Sequence, residues 1–350
     1  MRATLIDTDA PVWHELLGAC AHDVYHMPTW TALSARYDGG QARAVYVESP
    51  SGGRSLMPLV LRGMQDGASD AISPYGYAGI LSDRPKDQSF HRAAMDAAIE
   101  LLRAEGVVSL LLRLHPLLPV DGIGHLGQTV AIPTVVVDLS GTPEQIWSGM
   151  RKNHRRDIER ARRLGHEFQF EDSPEAFAAF RRIYAETMVR QGASDYYLFD
   201  DAYFDGLQSA LGDRLMLATV RVDGDVAAAG LFTRSNGIVQ LHLSGSDDAH
   251  AIHWTTKLLY HGVATSAQEY GDRWFHLGGG RGGANDSLFH FKAGFSSHRA
   301  VYDTMRLVIR EADYEALVRA HSPGVDPHEP GGYFPHYRRP IRSAASDIGH

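Results

Sequence analysis

The order of predicted elements repeats within the chain, and this repeat limits the possible folds more than any single motif. Residues 42–61 predict an antiparallel hairpin around a Pro-Ser-Gly-Gly turn, and residues 215–232 predict another around Asp-Gly-Asp. Each hairpin is followed by a third strand (71–81; 238–245), an amphipathic helix (about 88–105; about 253–270) and a fourth strand (107–114; 273–277). Because the turn, helix and final strand recur at an offset of about 165–171 residues, we interpret the chain as a duplication.

Two further helices are predicted between the halves. One runs over 143–164, with Pro143 in its first turn, and the next lies between Ser173 and Gly192. The order helix, helix, hairpin, strand, helix, strand is that of a GNAT-type acyltransferase fold. We therefore predict an α/β protein with mixed sheets, made of two tandem GNAT-like domains with a cleft between them. The expected domains are 1–140 plus about 297–320, then 141–296, with a tail over 321–350 and a strand over 302–309 that returns to the first domain.

Composition narrows the function classes. The net charge of -8 in 350 residues argues against general coating of nucleic acid but leaves room for a local basic groove. A single cysteine, Cys20, excludes an internal disulfide framework. The sequence contains no signal peptide, membrane-spanning run, HExxH or CxxC, and His22 and His26 lack a third ligand. We expect a cytoplasmic protein without membrane insertion and without a bound metal.

Lys292 stands out because the chain uses lysine rarely. Of the 34 Lys and Arg residues, only Lys86, Lys152, Lys257 and Lys292 are lysines. In Phe291-Lys292-Ala-Gly-Phe295 a compact ammonium sits among aromatic neighbours, where a charge is unfavourable unless it has a task. The alternative is a lysine whose stem follows the rings while its head reaches water.

The preceding cluster, residues 278–283, formally satisfies GxGxxG, but no long helix follows it. We interpret its glycines as permitting close backbone approach or a mobile loop beside Lys292.

The helix predicted over 143–164 is strongly basic. Over residues 151–164 it has seven Lys and Arg residues against Asp157 and Glu159, or a local +5. Helical spacing places Lys152, Arg155, Arg156 and Arg163 broadly on one face, which suits phosphate contacts. The alternative is a solvated helix paired internally, for example Arg155 with Glu159. The acidic remainder of the chain favours an RNA or phosphate contact.

In this order the motifs resemble the FemAB-like family of tandem-GNAT transferases, which includes aminoacyl-tRNA-dependent enzymes of peptidoglycan synthesis. The matching segments are 26–30, 73–79, 113–118, 150–161, 203–204, 242–246, 277–280 and 291–292. The resemblance implies amide formation between an activated acyl or aminoacyl group and an amine, with Phe291 and Lys292 at the reaction centre. It also implies a monomer. The chain lacks a coiled-coil arm and is similar to the compact branch that includes transferases of natural-product (antibiotic) pathways.

Aminolysis of an ester passes through a tetrahedral oxyanion, which a positioned cation stabilises, and Lys292 is the candidate. His242 is either the proton acceptor for the attacking amine or a core histidine, and the ribose hydroxyl of the donor is another proton route. The substrate-binding candidates are Trp30, Tyr75, Tyr77, Arg190, Tyr197, Tyr203, His242 and Ser244. For the aromatic residues the alternative is core packing, and for Arg190 it is a cation at the end of a helix.

The donor is inferred from the turns between the third strand and the helix of each half, where coenzyme A-dependent GNAT domains hold the pyrophosphate. In the second half, residues 246–251 carry Asp247 and Asp248, which would repel a diphosphate. In the first half, residues 82–87 carry Arg84 and Lys86, which are able to bind an anion. We therefore predict an aminoacyltransferase that uses aminoacyl-tRNA as co-substrate, with no other cofactor, and a small-molecule or peptidyl amine as acceptor. The alternatives are an acyl-CoA-dependent N-acyltransferase and a non-catalytic binding protein.

Overall fold

A computed structural model describes residues 1–64, 67–124, 126–247, 254–329 and 332–339. In chain order the strands are β1 (Arg2–Ile6), β2 (Gln41–Glu48), β3 (Arg54–Gly63), β4 (Ser69–Ile72), β5 (Leu81–Ser82), β6 (Val107–Arg113), β7 (Gln128–Asp138), β8 (Glu167–Glu171), β9 (Leu215–Val222), β10 (Asp225–Ser235), β11 (Ile238–Ser246), β12 (Trp274–Gly278) and β13 (Arg299–Val308). The α-helices are α1 (Pro11–Ala19), α2 (Pro28–Asp38), α3 (Gln88–Ala104), α4 (Pro143–Gly149), α5 (Lys152–Arg163), α6 (Pro174–Arg190), α7 (Asp201–Leu211), α8 (Trp254–Glu269), α9 (Ser287–Lys292) and α10 (Glu311–His321). No helix among these described residues has the length and apolarity needed to cross a membrane.

The first unit comprises residues 1–20, 34–131 and the chain from Asp303 onward. Its strands are hydrogen-bonded in the order β1–β2–β3–β4–β6–β13, and only β4 and β6 are parallel. Helix α3 connects the parallel pair, as expected for a parallel crossover. Its N-cap is Asp87, which accepts from Phe90 N, and its apolar stripe packs on the sheet.

The second unit comprises residues 21–33 and 132–302. Its strands follow the order β8–β9–β10–β11–β12–β7, and again only one pair, β11 with β12, is parallel. Helix α8 makes the crossover between these two strands and packs with α5 in a core centred on Phe232, Phe275 and Leu259. The two units therefore share one strand order, which confirms the predicted tandem GNAT-like fold.

The prediction of one continuous third strand over 71–81 is wrong. The structure has β4 and β5 separated by a turn in which Gly76 and Gly79 adopt positive φ angles. Gly79 N donates to Arg113 O at 2.9 Å, and a Cβ at Gly79 would lie 2.9 Å from His115 N. The backbone leaves the sheet here because it packs directly against the end of β6.

The single helix predicted over 143–164 is also wrong, because the structure has two helices, α4 and α5. Met150 and Arg151 between them have extended ψ angles, of 150° and 142°. Met150 is buried in the core, and Arg151 N donates to Gly294 O at 2.8 Å. A long-range hydrogen bond therefore takes the place of the helical one that the local sequence favours.

The domain limits differ from the expected ones at four places, because residues 21–33, 132–140 and 297–302 group with the second unit and the residues from 321 group with the first. Residues 21–33, expected in the first domain, group with the second unit, where Thr29 Oγ1 donates to Ala210 O at 2.7 Å. Residues expected to form a tail from 321 pack on the first unit instead, as far as the structure describes them. There Tyr337 is buried, with its hydroxyl 2.8 Å from Ser109 Oγ, and Arg338 pairs with the buried Asp70.

Candidate acyl-transfer site

Lys292 is the last residue of α9, a six-residue helix whose N-cap is Asp286. The Asp286 carboxylate accepts from Phe289 N at 2.9 Å and from Arg281 N at 3.1 Å. The Lys292 side chain is only 9% exposed, and its Nζ donates to Gly279 O at 2.8 Å. Burial lowers the pKa of Lys292 to about 8, although the Asp286 charge acts in the opposite direction. The Lys292 ammonium therefore lies inside the protein, and the alternative of a side chain that reaches water is wrong.

The glycine cluster is the partner of this ammonium. Gly278 and Gly283 have positive φ angles, and a Cβ on Gly283 would meet the Ile132 side chain at 2.8 Å. A Cβ on Gly280 would overlap the Ala284 carbonyl and the Asp286 carboxylate. These glycines allow the loop to fold tightly, and this presents the Gly279 carbonyl to Lys292.

The aromatic residues beside Lys292 form a packed group. Tyr260 of α8 lies with its ring 6.0 Å from Phe291 and 5.4 Å from Phe295. Its hydroxyl is 2.7 Å from Ser244 Oγ, and burial raises the pKa of Tyr260 to about 12. Ser244, a predicted substrate-binding residue, is thus linked through Tyr260 to the aromatic group around Lys292.

The parallel strands β11 and β12 pair only over their first residues. Their register ends at Gln240 with His276, while β11 continues to Ser246. His242 and Ser244 lie on this continuing part of β11, for which the described residues show pairing with β10 alone. On this part of the strand Ser244 contacts Tyr260 of α8, and His242 contacts Trp30 and Tyr203.

Trp30, Tyr203 and His242, all predicted substrate-binding residues, contact one another in the second unit. The rings of Trp30 and His242 are 5.3 Å apart, and Tyr203 Oη is 2.9 Å from His242 Nε2. Burial lowers the pKa of His242 to about 3. The imidazole is therefore neutral near pH 7 and is a weak proton acceptor.

Arg190 and Tyr197 belong to the C-terminal end of α6 and the turn that follows. Arg190 Nη2 donates to Ser246 O at 3.1 Å, and Thr187 Oγ1 both donates to Ser246 O and accepts from Ser246 N. Tyr197 is 37% exposed, and its backbone carbonyl accepts from Tyr184 Oη at 2.9 Å. The backbone of Ser246 at the end of β11 is thereby occupied by side chains of α6.

The basic face of α5 is largely in solvent. Lys152 and Arg163 are exposed and Arg155 is half-buried, and no carboxylate of the described residues forms a salt bridge with these three. The internal pair of Arg155 with Glu159 is therefore not formed. Arg156 differs from them, because it pairs with Asp157 at 3.2 Å.

Tyr75 and Tyr77 lie in the first unit, where Tyr77 packs edge-on against His115 with ring centroids 6.4 Å apart. The turn that carries Arg84 and Lys86 is also there. Arg84 Nη2 donates to Ser51 O at 2.6 Å, and Lys86 Nζ is 3.7 Å from Asp121. In the corresponding turn of the second unit, Asp247 pairs with Arg182 at 3.5 Å, and residues 248–251 lie outside the described residues.

Several residues at the site did not stand out in the sequence. His154 Nε2 lies 3.0 Å from Phe291 O, and a buried ion pair joins Asp157 to Lys257 at 2.7 Å. Gln240 connects Asp23 to His276 by hydrogen bonds of 2.6 Å each. The sequence could have revealed these residues as polar positions within apolar patterns. They are Lys257 in α8, His276 in β12, and His154 and Asp157 on the inner face of α5.

Among the described residues, one group has the composition of a metal site. Glu311, Glu315 and His328 offer ligand atoms within 4.8 Å of one another. His328 lies 3.4 Å from each carboxylate, and its side chain is 62% exposed. An imidazole between two carboxylates accounts for this arrangement without an ion.

Comparisons with known proteins agree with this fold. Residues 148–292 match the family model described as an acetyltransferase (GNAT) domain. The crystal structure of FemX is similar over 90% of this chain and 99% of its own, with a TM-score of 0.69 and 13% identity. Comparison of the sequence with curated proteins finds no match.

Two further structures share the fold. The C-terminal domain of a putative lysylphosphatidylglycerol synthetase from Agrobacterium fabrum covers 88% of this chain and 97% of its own, with a TM-score of 0.54 and 15% identity. The structure of L-PGS from Bacillus licheniformis is similar over 90% of this chain and 95% of its own, with a TM-score of 0.53 and 12% identity. Residues 148–292 therefore match a GNAT acetyltransferase domain, and the fold of the chain is shared with FemX.

Proposed function

We propose that the protein is an aminoacyltransferase that moves an amino acid from aminoacyl-tRNA to the amine of a small-molecule or peptidyl acceptor. The observation that carries the proposal is the buried ammonium of Lys292. Among the described residues its hydrogen-bond partner is the Gly279 carbonyl, so two of its three N–H donors remain for a substrate oxygen.

In the proposed reaction the acceptor nitrogen attacks the ester carbonyl carbon of the aminoacyl group. The C–N bond forms while the carbonyl electron pair moves to oxygen, and Lys292 donates to the resulting oxyanion. Collapse restores the C=O bond and breaks the bond to the ribose oxygen. The leaving ribose oxygen takes up one proton, and the amine nitrogen loses one, so the products are an amide and the deacylated tRNA.

The proton route in this proposal uses the donor's own ribose hydroxyl. With a pKa of about 3, His242 is poorly suited to remove a proton at neutral pH. We assign the half-buried His242 to binding and not to proton removal, whereas Trp30 and Tyr203 are 1% and 5% exposed and pack around it as core residues.

The choice of donor rests on the charges around the site. The unpaired cations of α5 suit a polyanion, and the same helix contacts the Lys292 turn through His154. A thioester arm lying along the end of β11 would need backbone groups that Thr187 and Arg190 already occupy at Ser246. We therefore favour aminoacyl-tRNA, needing no further cofactor, over acyl-CoA. The description of the matching family as an acetyltransferase domain is the observation that keeps acyl-CoA as the alternative.

The FemAB-like fold suggests two pathways for the acceptor, cell-wall precursor synthesis and natural-product (antibiotic) synthesis. Both supply small or peptidyl amines. The neighbour named as a lysylphosphatidylglycerol synthetase supports an aminoacyl group as the cargo.

The test incubates the purified protein with a mixture of radiolabelled aminoacyl-tRNAs and a bacterial small-molecule extract. Label is expected in a base-stable amide product, and RNase treatment of the donor before the reaction should abolish it. Lys292→Met should form product about 10²–10³-fold more slowly under the same conditions. Product formation only from a panel of acyl-CoA thioesters would contradict the tRNA donor, and no product from either donor class would contradict transferase activity of the site.

A further inference from the structure

The break between α4 and α5 places the start of α5 against the end of α9. Arg151 N donates to Gly294 O at 2.8 Å, and Arg151 Nη1 donates to His290 O at 3.0 Å. His154 Nε2 is 3.0 Å from Phe291 O. Because the last carbonyls of a helix have no partner within the helix, these contacts add to the bond from Gly294 N to Phe291 O in satisfying the C-terminal end of α9.

His154 also fills the space beside the Lys292 turn. Its ring centroid lies 5.5 Å from Phe291 and 4.7 Å from Phe295. A Cβ on Gly294 would overlap the imidazole, so glycine at this position allows the ring to approach the backbone. Burial, together with the charge of Lys257, lowers the pKa of His154 to about 4. The ring is therefore neutral near pH 7, and the carbonyl contact identifies Nε2 as its protonated nitrogen.

Helix α5 is itself fixed to the core. One turn beyond His154 lies Asp157, which accepts from Lys257 Nζ of α8 at 2.7 Å. Ile158 and Ala161 are fully buried on the same side. A helix that is fixed to the core thus contacts the last carbonyls of the six-residue helix α9.

We propose that Arg151 and His154 are positioning residues that set the place of Lys292 Nζ against the Gly279 carbonyl. They reach Lys292 through the carbonyls of His290 and Phe291 and not by direct contact. The importance of the Lys292 position for catalysis rests on the proposed function, whereas the effect of Arg151 and His154 on that position does not.

The test measures the pKa of Lys292 without a substrate. Trace acetylation by acetic anhydride over a range of pH, quantified by mass spectrometry, gives the titration of each lysine in a chain that has only four. Lys86, whose side chain is 75% exposed, is the internal standard. Lys292 in the unaltered protein should titrate near pH 8.

His154→Phe keeps a ring but removes the donor, so the turn should loosen and water should reach Nζ. We expect the Lys292 pKa to rise by about one unit or more toward its ordinary value, which lowers the fraction of neutral amine at pH 8 about fivefold. His154→Gln restores an N–H donor and should recover part of the shift. Arg151→Met, at an exposed side chain, should give a smaller shift in the same direction, and Arg162→Met controls for the lost charge.

His261→Phe is the matched control. His261 is also buried in the second unit, but it bonds to Thr265 and packs on Trp147, away from α9. If His154→Phe and His261→Phe leave the Lys292 pKa equally unchanged while lowering the melting temperature, His154 is only a packing residue and the proposal is wrong.

Once a transferred group is identified, His154→Phe should lower kcat with little change in KM. Absence of any transfer, together with a shifted Lys292 pKa, would refute the proposed function and leave the positioning intact.

Discussion

Two buried lysines of the second unit have opposite surroundings. Lys257 is paired with the Asp157 carboxylate at 2.7 Å, and both side chains are about equally buried. Lys292 is buried to a similar degree, but its Nζ contacts a neutral carbonyl, that of Gly279. The charge of Lys257 is therefore balanced within the fold, whereas the charge of Lys292 is available to a ligand.

This difference explains why the two positions suit different tasks. An ion pair between α5 and α8 fixes the helices to each other and has little capacity left for a ligand. An ammonium beside a carbonyl retains donors and is less stable in its charged form, as its lowered pKa indicates. Burial of a lysine is therefore informative about function only when its partner is known.

The largest expected effect comes from breaking the paired lysine. Asp157→Asn should leave Lys257 buried without a counter-charge and lower the free energy of unfolding by about 3–5 kcal/mol. Denaturant titration at pH 7 measures it. The double change Asp157→Leu with Lys257→Met should recover most of the loss, because it removes both charges. A loss below about 1 kcal/mol for Asp157→Asn would mean that the ion pair is not what balances Lys257.

Removal of the other ammonium should affect turnover instead. Lys292→Met is expected to reduce the rate of transfer by about 10²–10³-fold, since one oxyanion donor is lost. The rate should be measured on the labelled product, with Lys86→Met as the control for loss of a lysine. If activity depends on the charged form, the rate of the unaltered enzyme should also fall as pH rises through about 8. A rate that rises through that pH would assign Lys292 to proton removal.

The stability of Lys292→Met should change in the direction opposite to its activity. At pH 7 Lys292 is charged in the folded and unfolded states, so the folded state bears the unfavourable burial, and the methionine variant should be more stable by about 1–3 kcal/mol. The unfolded chain binds more protons than the folded one between pH 8 and the ordinary lysine pKa, so the unaltered protein gains stability there. Unfolding experiments at pH 7 and pH 10 should therefore find the difference smaller at pH 10. A constant difference would exclude titration of Lys292 as its source.

The smallest effects are expected on the exposed face of α5. Lys152→Gln and Arg163→Gln should each weaken aminoacyl-tRNA binding a few-fold and reduce the slope of log affinity against log salt by about 1. Arg319→Gln removes an exposed, paired cation from α10 and should leave the slope unaltered. Equal slopes in all three variants would show that α5 does not contact the phosphates.

Local signals predicted much of the fold. Turn residues and alternation predicted both hairpins, and Ser173 and Gly192 marked the ends of α6, because these signals act within a few residues. The break at Met150 and Arg151 was not predictable in this way, since its hydrogen-bond partner is Gly294, far along the chain. The tail was missed for the same reason, because Tyr337 is held by Ser109.

The site was predicted in its residues more than in its contacts. Rarity of lysine and the aromatic flanks singled out Lys292, and the glycines before it suggested a close approach. The partner atom, the Gly279 carbonyl, and the role of His154 depend on how α5 meets α9, which no local pattern encodes. Glycine at position 294 is required by the close approach of the His154 ring, but the sequence alone does not show which residue approaches it.

The way the first unit draws on both ends of the chain has a consequence for synthesis on the ribosome. Strand β6 pairs at Ser109–Arg113 with Thr304–Val308, whereas every residue of the second unit precedes Asp303. The second unit, with Lys292, can complete its hydrogen bonds while one edge of β6 still lacks its neighbour. The half of the protein that begins first is thus the last to close, and nascent chains arrested once residue 302 has left the ribosome should expose that edge to chaperones.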